Sequence, residues 1–259
     1  MTFIKNAFNK VVINFGMSTR ESFERLGSIS ILFLQVLRSR PRYHLLIEQF
    51  IYLGISSLPI VILAAIFVGF IATWQVKYLA GDMVGLNYLG MVVLKVVMGE
   101  LGPTLIGLVL AGRVGAKLAA EVGTMRVTEQ IDAMTCLSLN PISYVVAPRV
   151  ISGFIIFPVL FIFGSLSGIV SSQILATVAL ELHPYTFYNS MRIMFNINII
   201  YMGLIKSCMF GGIITLCGCY FGYNTAGGAV GVGTSTRRAV VAGSILILLG
   251  NLIISELMM

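Results

Sequence analysis

The sequence predicts an all-α membrane protein, with an N-terminal interfacial helix, five transmembrane helices and a cytoplasmic helix between the second and the third. Three observations carry this reading. Apolar residues make up 58% of the 259 positions and charged residues 10%, against the roughly 25% charge of a water-soluble chain. Mean hydropathy is +0.96, which leaves too little polar surface to coat a soluble body. Several apolar runs reach the ~20 residues needed to cross ~30 Å of hydrocarbon. A cytosolic enzyme, a disordered tail and a secreted disulfide scaffold are thereby excluded. The net charge of +7 calls for no nucleic acid, because membrane proteins gather Lys and Arg on their cytoplasmic side.

Met1 to Gly16 carries Lys5 and Lys10 and lacks both a long apolar run and a small-residue cleavage site. Internal helices are therefore expected to direct insertion. Ser28 to Leu37 is apolar but too short to cross, and it ends at Arg38, Arg40 and Arg42. It is expected to lie in the cytoplasmic interface with its arginines near anionic headgroups, a plain soluble helix being the alternative. Residues 1–48 are accordingly set apart from a membrane domain over 49–259.

Spans are expected over Ile51 to Trp74, Tyr88 to Gly112, Val150 to Leu180, Ile199 to Phe221 and Ala239 to Met258. The third contains Pro158 and is long enough to tilt or kink. With the N-terminus in the cytoplasm, thirteen of the seventeen basic residues fall inside. Only Lys77 and Arg192 fall outside, and Lys95 and Lys206 lie within spans. That bias supports an inside N-terminus and an outside C-terminus.

Between the second and third spans, Val127, Ile131 and Met134 recur at i, i+4, i+7, while Arg126, Glu129, Gln130 and Asp132 take the other faces. This predicts a short amphipathic helix lying along the membrane, either a surface anchor or a docking element. Asn140-Pro141 ends it, since a residue before proline avoids the helical region. Tyr223 to Thr236 holds Gly227, Gly228, Gly231 and Gly233. G-x-x-x-x-G-K-[ST] is absent and no strand precedes it, so a close-packed turn is expected rather than a phosphate loop.

Cys136, Cys208, Cys217 and Cys219 show no C-x-x-C spacing and read as small membrane-helix residues. His44 and His183 have no carboxylate or thiol neighbours in sequence, so neither a catalytic residue nor a metal site is predicted. The informative groups are Lys95, Glu100 and Lys206, each costing ~2.5 to 3.5 kcal/mol inside a span unless it has a partner, water or a task. From the expected span starts, Lys95 and Lys206 lie ~10 Å deep and Glu100 ~18 Å. Lys206 could reach Glu100 if the second and fourth helices are neighbours. A structural ion pair and a polar lining of a substrate cavity both fit, and the two can coexist.

Glu100-Leu101-Gly102-Pro103, Ala111-Gly112-Arg113-Val114-Gly115 and the run from Ala119-Ala120-Glu121-Val122-Gly123-Thr124-Met125-Arg126-Val127-Thr128-Glu129-Gln130 to Ile131-Asp132-Ala133-Met134 resemble the signature of the MlaE family of ABC-transporter permeases. Asn140-Pro141-Ile142, Ala147-Pro148-Arg149-Val150 and the glycine series Gly227 to Gly233 continue it in order. The resemblance covers about Gly54 to Leu257. It implies a non-catalytic permease that works as a homodimer with separate ATPase subunits, which would hold the ATP and magnesium. It implies docking of a periplasmic MCE-domain ring and phospholipid as cargo between the inner and outer membranes. The implied location is the bacterial inner membrane, with the plastid inner envelope a lesser alternative.

The family's coupling helix falls on about residues 124–138, with Arg126, Glu129, Gln130, Asp132 and Met134 as its ATPase-facing residues. Lipid between two copies needs apolar walls and a few polar groups. Phe67, Phe70 and Trp74 are expected as wall, Glu100, Lys206 and Asn251 as polar contributors, and Gly69, Gly102 and Gly107 as close-packing or space-making positions. The sequence departs from the family at Gly99, where members commonly carry Arg, and at Asn251, where some carry an acid. Rival readings are a standalone channel or secondary transporter and an assembly scaffold. The former expects an inverted repeat with broken helices, and no convincing repeat is found.

Overall fold

The computed structural model describes residues 27–39, 41–80, 88–193 and 195–258. The expectations for Lys5, Lys10, Arg20, Arg25 and Arg40 lie outside the described residues. The helices are α1 (Gly27–Arg38), α2 (Tyr43–Ala80), α3 (Leu89–Val127), α4 (Gln130–Cys136), α5 (Ile142–Leu180), α6 (Pro184–Ile193), α7 (Ile197–Tyr223) and α8 (Gly228–Met258). No strand occurs among the described residues. Among the described residues five helices, α2, α3, α5, α7 and α8, are long and apolar enough to cross a membrane.

Each of the five outruns its expected bounds. α3 continues past Gly112 to Val127, so Arg113, Lys117 and Arg126 ride on the span instead of a loop. α8 starts at Gly228, not Ala239, so the expected glycine turn shrinks to Asn224–Gly227, where Gly227 has φ +90°. Hydropathy registers only the hydrocarbon slab, whereas Lys, Arg, Glu and Ala are good helix formers and carry α3 on beyond it; the glycine-rich start of α8 is held by packing instead, with Gly231 and Ser235 buried. A second departure is α6, which replaces the expected outer loop. Pro184 at its first position and the buried pair Phe187 and Ser190 mark it, and Gly90 of α3 packs against it.

Three stretches widen to π geometry, Lys95–Leu101 and Ala111–Gly115 within α3 and Ile142–Val146 at the head of α5. The first and third lie just before Pro103 and Pro148. A proline ring collides with the carbonyl four residues back, and a widened turn gives that ring room.

α2 runs along α5, and α7 sits centrally against α3, α5 and α8. The α2–α5 seam is built from small residues. Ser172 Oγ donates to Gly69 O at 2.9 Å and Ser171 Oγ to Ile66 O at 3.1 Å. A Cβ at Gly69 would run into Gly168 O and the Ser171 and Ser172 hydroxyls, so only glycine allows this approach. Small residues and interhelical hydroxyl bonds are how helices associate in lipid, where apolar burial drives little. Gly107 likewise meets Phe210 and Ile247, while Gly102 sits against its own helix at Val97 O and near Phe161.

At one end of the bundle α1 and α4 close a second core. Leu32 and Val36 of α1 and Ile131 of α4 are buried with Val122, Val146, Val150 and Cys219. On α1, Ile31, Leu34 and Leu37 stay exposed on the other side. A helix apolar on both flanks, one on protein and one open, has the form an interfacial helix needs.

Candidate functional site

The polar residues inside the bundle converge from three helices. Lys206 of α7 is fully buried, and its Nζ lies 2.8 Å from Glu100 Oε2 of α3. The same ammonium donates to Gly99 O at 2.9 Å and to Ser255 Oγ of α8 at 2.8 Å. Ser255 Oγ lies 3.1 Å from Glu100 Oε1, to which it donates. Asn251, one turn earlier on α8, has a buried Oδ1 with no hydrogen-bond partner.

Local sequence explains why these groups meet. α7 begins at Ile197, earlier than hydropathy marks it, and the π turn adds residues to α3 with less rise. Glu100 and Lys206, eleven and nine residues into their helices, thus reach similar depths. Pro103 has no N–H to offer Gly99 O in the α-helical register, and that carbonyl is the one Lys206 binds. Thr104 Oγ1 in turn donates to Glu100 O at 2.7 Å. Of the two options left open by the sequence, the ion pair is present. Glu100 also keeps a third of its side chain exposed, so pairing does not remove it from contact with a ligand.

The other expected residues are distributed as follows. Phe67 and Trp74 stand on α2 with more than half their surface exposed, in line with Leu63 and Ile71. Phe70 is half-buried. The aromatics form a ridge on α2, whereas the polar cluster draws on α3, α7 and α8. Lys95 is exposed on α3, and the cation facing Glu100 comes from α7. Sequence reasoning missed Ser255, although Asn251 and Ser255 are spaced i, i+4 and so share a face. Glu256, the acid noted there, is exposed.

A second polar assembly ties the bundle together near α4. The Tyr52 hydroxyl of α2 donates to Glu121 of α3, and Arg149 Nη2 of α5 lies 3.8 Å from Glu121 Oε2. Lys117 Nζ sits 3.5 Å from the Tyr52 ring centroid. Arg113 Nη2 donates to Ser56 O at 2.6 Å. A cavity of about 450 Å³ opens beside Glu121, Thr124, Met125 and Arg149.

α4 is shorter than expected. α3 runs to Val127, Glu129 adopts φ +60°, and the helix spans only Gln130–Cys136. Ile131 is buried and Met134 packs half-buried on the same core. Arg126 and Asp132 bridge the turn at 2.5 Å, and the Arg126 guanidinium lies 5.9 Å from the Tyr223 ring. Glu129, Gln130, Ala133 and Leu137 face outward.

The comparisons with known proteins converge. The family model described as Permease MlaE matches residues 46–257. A probable ABC transporter permease protein of Rickettsia prowazekii is 41% identical over 214 residues, 82% of each chain. One from Synechocystis is 37% identical over 240 residues, 91% of each chain. A third, from Pyropia yezoensis, is 33% identical over 213 residues, covering 82% of this chain and 81% of that one.

Proposed function

From the premise that this chain belongs to the MlaE permease family, we propose that it moves phospholipid between the inner and outer membranes as the membrane subunit of an ABC transporter. Two copies would pair in the inner membrane with their N-termini in the cytoplasm. A separate ATPase, carrying the ATP and magnesium, would bind at α4, and an MCE-domain ring would dock at the opposite end. The chain itself does no bond chemistry in this scheme.

The observation that best supports the reading is the cluster of Glu100, Lys206, Ser255 and Asn251 inside an otherwise apolar bundle. Lys206 and Ser255 meet the inner side of the Glu100 carboxylate; the third left exposed at that depth still favours a polar partner, which a lipid headgroup would supply. The exposed apolar faces of α2 and α8, including Phe67, Trp74, Leu249 and Leu252, suit acyl chains and a second copy. At the α4 end, Ile131 links the outward residues to a core shared by α1, α3, α5 and α7. Motion imposed on α4 would therefore reach the spans.

The test is reconstitution of the chain with its copurifying ATPase in liposomes carrying labelled phospholipid. ATP-dependent movement of lipid to an acceptor is the expected result. A chain that binds no ATPase and conducts ions alone would instead be a channel or secondary transporter.

A further inference from the structure

The ammonium of Lys206 has three N–H donors, and all three are used. Gly99 O, Ser255 Oγ and Glu100 Oε2 take them at 2.9, 2.8 and 2.8 Å, with no side-chain surface left exposed. Lys206 therefore has nothing to offer a ligand's phosphate. The Ser255 hydroxyl is spent as well, accepting from Lys206 and donating its one proton toward Glu100. What the cluster still presents is an acceptor, the open edge of the Glu100 carboxylate; the unpartnered Oδ1 of Asn251, one turn away on α8, is itself buried. At Gly99 no side chain adds a charge.

We propose that this site selects a phospholipid whose headgroup carries a primary ammonium, received by the open edge of Glu100. The inference rests on the lipid-transport reading above and names the headgroup class for that same site. An ammonium donates up to three hydrogen bonds, and those to a carboxylate are charge-assisted, roughly twice as strong as neutral ones. A hydroxylated anionic headgroup can also donate to the carboxylate, but it has no positive charge to pair with Glu100 and brings net negative charge toward it with no free donor to meet it. Lys95, exposed and five residues earlier on α3, is the cation left for the lipid phosphate. A trimethylammonium headgroup keeps the charge but loses the donors, and falls between.

The experiment is competition. The purified permease–ATPase complex is equilibrated with mixed micelles holding equal amounts of phosphatidylethanolamine, phosphatidylcholine and phosphatidylglycerol with identical acyl chains. Lipid retained after size exclusion is quantified by mass spectrometry. The expected result is about fivefold or greater enrichment of the ethanolamine lipid over the glycerol lipid, given the ammonium–carboxylate ion pair that only the former can form. Glu100→Gln should bring that ratio close to one. The wild-type ratio needs no variant and stands whatever a variant's stability. Equal retention of the three lipids, or preference for the glycerol lipid, overturns the headgroup assignment while leaving lipid transport supported. A complex that retains no lipid of any class overturns both.

Discussion

Lys206 and Glu100 meet at 2.8 Å, yet they are unequal partners: the ammonium is wholly buried, whereas the carboxylate keeps 34% of its side chain exposed. Loss of each partner should therefore have a different cost. Glu100→Ala strands a charge in the dry interior, for which about 3 to 5 kcal/mol is expected. Lys206→Met leaves a carboxylate that can still reach water or a ligand, and about 1 to 3 kcal/mol is expected. The double variant Glu100→Gln/Lys206→Met should recover most of the loss, since replacing both members of a buried pair is often neutral. Thermal unfolding of the detergent-solubilised protein reads all three. A larger loss for Lys206→Met than for Glu100→Ala would contradict the asymmetry.

Close approach at Gly69 makes the α2–α5 seam sensitive to a single carbon. A Cβ there meets Gly168 O and two serine hydroxyls that have nowhere to turn, because Ser172 Oγ already bonds Gly69 O and Gly168 O. Gly69→Val should cost at least about 1 to 3 kcal/mol by overpacking and lower the yield of monodisperse protein. Ser172→Ala removes only the bond and should cost about 0.6 kcal/mol, the typical interhelical value in membranes. Size-exclusion profiles of the two variants separate the effects. A Gly69→Val variant with a wild-type profile would mean the seam can open.

The five spans were legible because each is a long apolar run, and apolar length is what a bilayer selects. Their ends were not, since helix propensity carries α3 to Val127, while α8 runs back to Gly228 through poor helix formers whose Gly231 and Ser235 are buried against the bundle. Glu100 and Lys206 stood out as charges in apolar sequence, but the sequence could not show that they touch. That depended on the earlier start of α7 and the π turn before Pro103, both small shifts along a helix axis. Ser255 stayed invisible because a serine in a span is ordinary. The Tyr52–Glu121–Arg149 assembly joins three helices whose contacts are non-local, and no spacing rule reports such a contact.

That assembly makes a graded test. Glu121 receives the Tyr52 hydroxyl and faces Arg149, whose side chain is only 12% exposed and whose Nε has no partner. Tyr52→Phe removes one hydrogen bond at a half-open site and should cost about 0.5 to 1.5 kcal/mol. Glu121→Ala leaves Arg149 with Val145 O as its remaining acceptor, and the loss should be larger, about 3 kcal/mol. Thermal shifts in the order Glu121→Ala above Tyr52→Phe are expected. The reverse order would show that the Tyr52 hydroxyl bond to Glu121 matters more than the ion pair with Arg149.

α4 has an inner and an outer side, and substitutions on the two should part cleanly. Ile131 is buried to 1% in a core with α1, α5 and α7, so Ile131→Asp should unseat the helix and lower thermal stability by several degrees at least, burying an unpaired charge. Glu129 is exposed and caps α4 at φ +60°. Glu129→Lys should leave the melting temperature within a degree or two of wild type, as exposed substitutions do, while the ATPase no longer copurifies. Arg126 and Asp132 pair across the turn with both side chains open to solvent, and such pairs contribute about 0 to 1 kcal/mol. Swapping the two charges should preserve the turn. If binding to the ATPase needs only the turn's shape, the swapped protein will still capture it. If it reads the individual charges, capture will fail with the fold intact, and Arg126 and Asp132 then join Glu129 among the residues the motor contacts. A Glu129→Lys protein that copurifies its ATPase at wild-type levels would place the docking surface elsewhere.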